Sequence, residues 1–233
     1  MRGFTFLFLF FTVSAAAGET RIVQCSTTQA GQLRVAAKTV LEKSRTLVPP
    51  AADISKYSME YVQKNYIEAK GRVPRWFAGD PSRTERAYTD YLAGMQRVLS
   101  AMNRDAEAGY ELRCVTNSDR QCSDGDTMAY VYYIAGHRLP RIYVCPLFFN
   151  NSPTSQASTI FHELSHYAAD TDHGDFSKPA SLEQLRTSYM DAYHIEPLMY
   201  RSLEKHMEFM WAQMWIPPRN PPGFDSDEFG YWY

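Results

Sequence analysis

The five residues His162-Glu163-Leu164-Ser165-His166 constrain this chain more than any other stretch, because they fit the pattern H-E-x-x-H. The pattern has chemical meaning only on a helix. There, residues four apart share a face, so His162 and His166 would project together and bind one Zn²⁺ through imidazole nitrogens. Glu163, next to the first ligand, would lie beside the open coordination position and take a proton from a water that the metal has acidified. That is the chemistry of a metal-dependent peptide hydrolase. The pattern leaves two positions free and also arises by chance, so its context decides. Ser155, Gln156, Ser158 and Thr159 precede Ile160 and Phe161, which reads as polar starters leading into a buried helix.

Two histidines and a water leave one zinc position for the protein. Asp170, Asp172, His173 and Asp175 crowd the stretch that follows. Asp170 would share the histidine face if the helix continued, one turn further from the metal. Asp172 lies six residues after the second histidine, where metzincins place a third ligand. Those enzymes turn the chain with a glycine three residues after that histidine, and Ala169 stands there instead. Gly174 offers a later turn that would bring Asp175 back. Spacing favours Asp175, with Asp172 next.

The chain has 233 residues, 45% of them apolar and 14% aromatic, enough for one well-packed domain. Its formal charge of -2 implies neither a nucleic acid nor an anionic membrane surface as partner. Residues 1–17 read as a secretory signal peptide: Arg2, an apolar run over 4–13, then Ala15-Ala16-Ala17. That run is too short for a stable membrane anchor, and no later stretch would span a bilayer. The expectation is a monomer exported to the extracellular space, or to the periplasm of a bacterial host. Its single domain would cover 18–215, followed by a tail rich in proline and aromatics at 216–233. Cys25, Cys114, Cys122 and Cys145 form an even set, which in an exported chain suggests two disulfides in one of three connectivities. No Cys-x-x-Cys spacing supports a cysteine zinc site.

Helical periodicity runs through Leu33, Ala37, Val40, Leu41 and Leu47, behind the capping box Ser26-Thr27-Thr28-Gln29 and ahead of Pro49-Pro50. A second helix is predicted over 57–70, and a long one behind Ser82-Arg83-Thr84-Glu85, carrying Tyr88, Leu92, Met95, Leu99 and Met102. Residues 110–115 read as a strand. Residues 128–134 and 141–145 read as a hairpin joined by a loop at 135–140. A sheet edge beside the metal helix would let an extended peptide add as a strand. Beyond the metal loop, one helix is predicted over 181–193 and another opening at Pro197.

Several short stretches, in order, resemble the deuterolysin and peptidyl-Lys metalloendopeptidase family, the aspzincins. They are Cys25-Ser26, Arg75-Trp76-Phe77-Ala78-Gly79, Ala129-Tyr130-Val131-Tyr132, the run from Ile142 through Cys145 to Phe149, and Ser155 to Thr159 ahead of the histidines. The resemblance implies an α+β, zincin-like fold, mostly helical, with a small antiparallel sheet or hairpin beside the H-E-x-x-H helix. It implies one Zn²⁺ per chain, held by His162, His166 and Asp175, nine residues after the second histidine. Glu163 would act as general base and then general acid on a protein or peptide substrate. The implied disulfides are Cys25 with Cys114 and Cys122 with Cys145.

Two departures matter. The tyrosine that would stabilise the oxyanion falls on Lys178, so Lys178 itself, or Tyr189 or Tyr193 folding back, would fill that role. The acidic pair of lysine-specific members falls on Lys205 and Glu208, where a lysine would repel a lysine substrate. A lysine preference is therefore not expected. The alternative is a zinc-binding homologue, weak or inactive in catalysis, that acts by holding metal or a partner.

Overall fold

A computed structural model describes residues 18–47, 58, 60, 64, 81–134, 137–174, 181–203 and 205–207. The predicted signal, the helix over 57–70, the Trp76 stretch and the tail lie outside these residues, apart from isolated positions. The elements in order are β1 (Arg21–Val23), α1 (Thr27–Leu47), α2 (Pro81–Ala108), β2 (Glu111–Cys114), β3 (Ala129–Ile134), β4 (His137–Val144) and α3 (Pro153–Ala169). Two short helices follow, α4 (Leu182–Thr187) and α5 (Ala192–Ile195), with single 3-10 turns at Ser188–Met190 and Glu196–Met199. The fold is α+β and mostly helical. Among the described residues, no helix is long and apolar enough to cross a membrane.

Local chemistry sets the helix ends. At α1 the capping box closes both ways: Ser26 N–H donates to the Gln29 amide oxygen at 2.9 Å, and Gln29 N–H to Ser26 Oγ at 3.3 Å. Helix α2 begins at Pro81, one residue before its predicted capping box. It ends at Gly109, whose φ of +79° suits a residue without Cβ.

The sheet order is β1-β2-β4-β3. Only β3 and β4 pair antiparallel, as the hairpin. Strand β2 pairs parallel with both β1 and β4, so the sheet is mixed rather than antiparallel. Three residues of β1 carry too little pattern to be read as a strand. Strand β4 also starts earlier than predicted, taking in Arg138. Both implied disulfides are present, Cys25–Cys114 tying the start of the chain to β2 and Cys122–Cys145 tying the turn-rich stretch to the end of β4.

Helix α3 is central, packed against α1, α2 and the β3–β4 hairpin. Ile160, Phe161 and Leu164 are fully buried beside Leu33 and Val40 of α1, Tyr91 and Met95 of α2, Leu112 of β2 and Ile142 of β4. Each such side chain contributes about 1.5–3 kcal/mol of burial. The core therefore grips the helix that bears the motif on most of its surface.

Candidate metal centre

Helix α3 opens on Ser152, whose Oγ accepts from Ser155 N–H at 3.2 Å, followed by Pro153 at the first helical position. This start lies ahead of the polar run expected to begin it. The helix ends at Ala169 because Asp170 adopts φ 54°, ψ 34°, the left-handed conformation that aspartate tolerates better than most residues. Asp170 thus supplies the turn for which no glycine is present. Its own carboxylate points to Arg138 of β4, accepting at 2.8 Å.

The chain then folds back along its own helix. Ser165 Oγ donates to the His162 carbonyl at 2.7 Å and lies 2.8 Å from Thr171 Oγ1. Asp172 forms a parallel bridge with Asp191, with Asp172 N–H donating to the Met190 carbonyl at 2.8 Å and Ala192 N–H to the Asp172 carbonyl at 3.0 Å. The Asp172 carboxylate accepts from His173 N–H at 2.9 Å. It is spent on the backbone and does not join the histidines. His173 does. Its Nε2 lies 3.0 Å from Nε2 of His162 and 2.9 Å from Nε2 of His166, and those two are 3.2 Å apart.

Hydrogen bonds on the far side of two rings fix their tautomers. His166 Nδ1 lies 2.7 Å from the Thr171 carbonyl oxygen, which can only accept, so Nδ1 is the donor. His166 is held neutral, with its pKa lowered to about 3. Burial is the main cause, opposed by the bond to Thr171 and reinforced by His162, His173 and Arg138. A neutral ring protonated at Nδ1 carries its lone pair on Nε2. His162 Nδ1 lies 3.1 Å from Glu196 Oε2. Burial works against ionisation of Glu196, but the bonds to His162 and Ser158 outweigh it and hold the carboxyl below its usual range. The carboxylate accepts from Nδ1–H, the tautomer that in a neutral His162 ring leaves the lone pair on Nε2. The His173 pKa is lowered by burial and by His162.

Three imidazole Nε2 atoms within 3.2 Å of one another present a set of nitrogen donors to a single cation. Tetrahedral zinc at its usual Zn–N distance holds nitrogens about 3.3 Å apart, close to the spacing seen here. These three are the one metal-capable His/Cys/Asp/Glu group among the described residues. The donor set therefore fits zinc.

Glu163 is buried beside the cluster. Burial pushes its pKa up to about 7, against the pull of His162 and Arg138 and with the help of Glu196. Tyr193 covers the cluster from outside, its ring stacked on His173 at 4.9 Å between centroids and tilted over His162 at 4.8 Å. Tyr189 is placed elsewhere. It lies against Gly94 of α2, and its hydroxyl accepts from Arg97 at 3.4 Å. Of the two tyrosines offered by the sequence, only Tyr193 reaches the histidines. Asp175, Lys178 and Glu208 lie outside the described residues. Lys205 is exposed, with its N–H on Ser202 Oγ at 3.2 Å.

The predicted single helix over 181–193 is three short turns. The break at Asp191 is what carries Tyr193 and Glu196 to the site. Sequence reasoning missed Glu196 and Arg138. Glu196 lies 34 residues from the ring it faces, and Arg138 was read as loop; no pattern signals either.

No individual curated protein matches the chain. A solved zinc peptidase from Grifola frondosa resembles it with a TM-score of 0.43 and 18% identity, over 75% of this chain and 96% of that one. A likeness that loose carries no weight for the site. The match to the aspzincin family, described as lysine-specific metallo-endopeptidase, spans residues 62–188, more than half the chain. On that match the protein, a metalloendopeptidase, belongs to the aspzincins.

Proposed function

We propose that this zinc-dependent metalloendopeptidase is exported by the signal at 1–17 and cuts peptide bonds at the histidine cluster on α3, within a domain over 18–215. The observation that carries this reading is the convergence of three imidazole Nε2 atoms beside the buried carboxyl of Glu163. His162, His166 and His173 would hold one zinc ion. When bound, zinc supplies Lewis acidity toward the scissile carbonyl and lowers the pKa of water. Glu163 receives the proton of the attacking water and returns it to the leaving amine. Its burial suits both tasks, because a carboxyl shifted toward neutrality can accept and then release a proton. Tyr193, on the open side of the cluster, donates a hydrogen bond to the carbonyl oxygen as charge develops there; Lys178 could add to it. The outer edge of β3, last in the sheet, takes the substrate backbone as an added strand. Lys205 and Glu208 remain the proposed specificity positions, with no preference for lysine.

One observation favours a second ligand set. Asp175 stands nine residues after His166, the family distance for the third ligand. The two sets are separated by measuring zinc bound to His173→Ala and to Asp175→Ala. If His173 is the ligand, its loss weakens zinc and removes activity, while Asp175→Ala retains one tightly bound ion. The reverse pattern would assign Asp175 and leave His173 as a neighbour. If both variants and the wild type bind zinc equally and none cleaves, the chain is the metal-holding homologue.

A further inference from the structure

Among the described residues, Glu196 is the acidic side chain that meets a ring of the histidine cluster, and it does so at the nitrogen turned away from the other rings. We infer that Glu196 is the positioning carboxylate of the metal centre, fixing the tautomer and plane of His162 and lending the ring negative charge. The inference rests on the zinc reading above.

Three features carry it. First, both carboxylate oxygens are committed. Oε2 faces His162 Nδ1 at 3.1 Å, and Oε1 accepts from Ser158 Oγ at 2.8 Å. Second, Ser158 is buried and lies one helical turn before His162 on α3, so the helix that presents the ligand also anchors the group that orients it. Third, Glu196 opens the 3-10 turn Glu196–Met199, directly after α5 and followed by Pro197, whose ring fixes the backbone there. This backbone packs on α3. The carboxylate is thus held from both sides, by Ser158 of α3 and by the turn that bears it.

The two helix ligands are oriented by unlike partners. His166 leans on the neutral Thr171 carbonyl, which Arg138 also engages. His162 leans on an anion. An ionised acceptor makes a stronger bond than a carbonyl and raises the basicity of the opposite nitrogen. His162 should therefore be the stronger donor of the pair. Glu196 would also offset part of the dication's charge in a site whose described ligands are all neutral.

The test compares wild type with Glu196→Ala, Glu196→Gln and Ser158→Ala. Zinc affinity is measured by chelator competition, the cobalt(II)-substituted proteins are compared by absorption spectrum, and the His162 Nδ1 proton is followed by NMR in the metal-free protein. Loss of a partner of this kind typically costs 10- to 100-fold in metal affinity, and about that is expected for Glu196→Ala, with a changed cobalt spectrum and loss of the slowly exchanging Nδ1 proton. Glu196→Gln keeps an acceptor oxygen but no charge and should fall between. Ser158→Ala should move the same readouts in the same direction by less, and it keeps the test alive if Glu196→Ala fails to fold. Folded variants with wild-type zinc affinity and an unchanged Nδ1 proton overturn the inference while leaving the zinc reading intact. A wild type that binds no zinc overturns both.

Discussion

Tyr189 and Tyr193 are four residues apart and have unlike neighbours, so the same substitution should act differently at each. Tyr193 stacks on His173 and tilts over His162, whereas Tyr189 lies against Gly94 with its hydroxyl on Arg97. Removing one oxyanion donor typically costs about 100- to 1000-fold in kcat. Tyr193→Phe should lose that much with little change in KM, while Tyr189→Phe should keep near wild-type kcat. Steady-state kinetics on one peptide distinguishes them, and equal losses would remove Tyr193 from the oxyanion role. At this scale the motif residues were legible in the sequence because their spacing and their chemistry coincide. His173 was one of four side chains in the loop that could ligate. What separates it from Asp172 is the conformation of Asp170 and the bridge to Asp191, and neither leaves a mark in residue spacing.

Between elements, two packing devices support the site. Gly94 lies in the middle of α2, where a Cβ would fall 2.2 Å from the Tyr189 ring. Alanine there would gain about 1 kcal/mol of helix propensity. It would also force the ring outward, and overpacking of this kind costs about 1–3 kcal/mol. The overlap is severe enough for the second effect to win, so Gly94→Ala should lower Tm; a raised Tm would show that the ring moves freely. The other device is Glu111 of β2, which gathers Arg21 of β1, Arg113 of its own strand and Arg141 of β4. Burial opposes its ionisation, but hydrogen bonds from Arg21 and Arg113 and the charge of Arg141 hold its carboxyl below the ordinary 4.5. Because the folded value is the lower one, the stabilisation is complete above about pH 4.5 and is lost as pH falls through the folded value. Glu111→Gln should cost about 1–3 kcal/mol at neutral pH and much less at pH 3, measured by urea unfolding at both. A pH-independent cost would contradict the charge argument. The helices α1, α2 and α3 were legible because apolar periodicity and capping residues agree. The parallel pairing around β2 was not, since strand direction depends on chain crossings that alternation does not encode.

Across the molecule, the centre draws on three separate regions: α3 for His162, Glu163 and His166, the returning loop for His173, and the segment from Asp191 to Glu196 for the groups that cover and orient the cluster. The core holds the first firmly, and the β-bridge between Asp172 and Asp191 joins the other two. Family membership was legible from short stretches in a fixed order, and both implied disulfides are present in the structure. The assembly of the third region was hidden, because a predicted single helix over 181–193 conceals the break at Asp191. We propose the cluster as a working peptidase centre with Glu163 as its base. The most direct measurement maps cleavage sites by mass spectrometry in a denatured protein substrate, using zinc-loaded wild type beside Glu163→Gln. The prediction is defined cuts from the wild type, abolished by a chelator, and a loss of at least about 100-fold in the variant with its zinc retained. Equal cleavage by the two proteins, or none from zinc-loaded wild type, would contradict it.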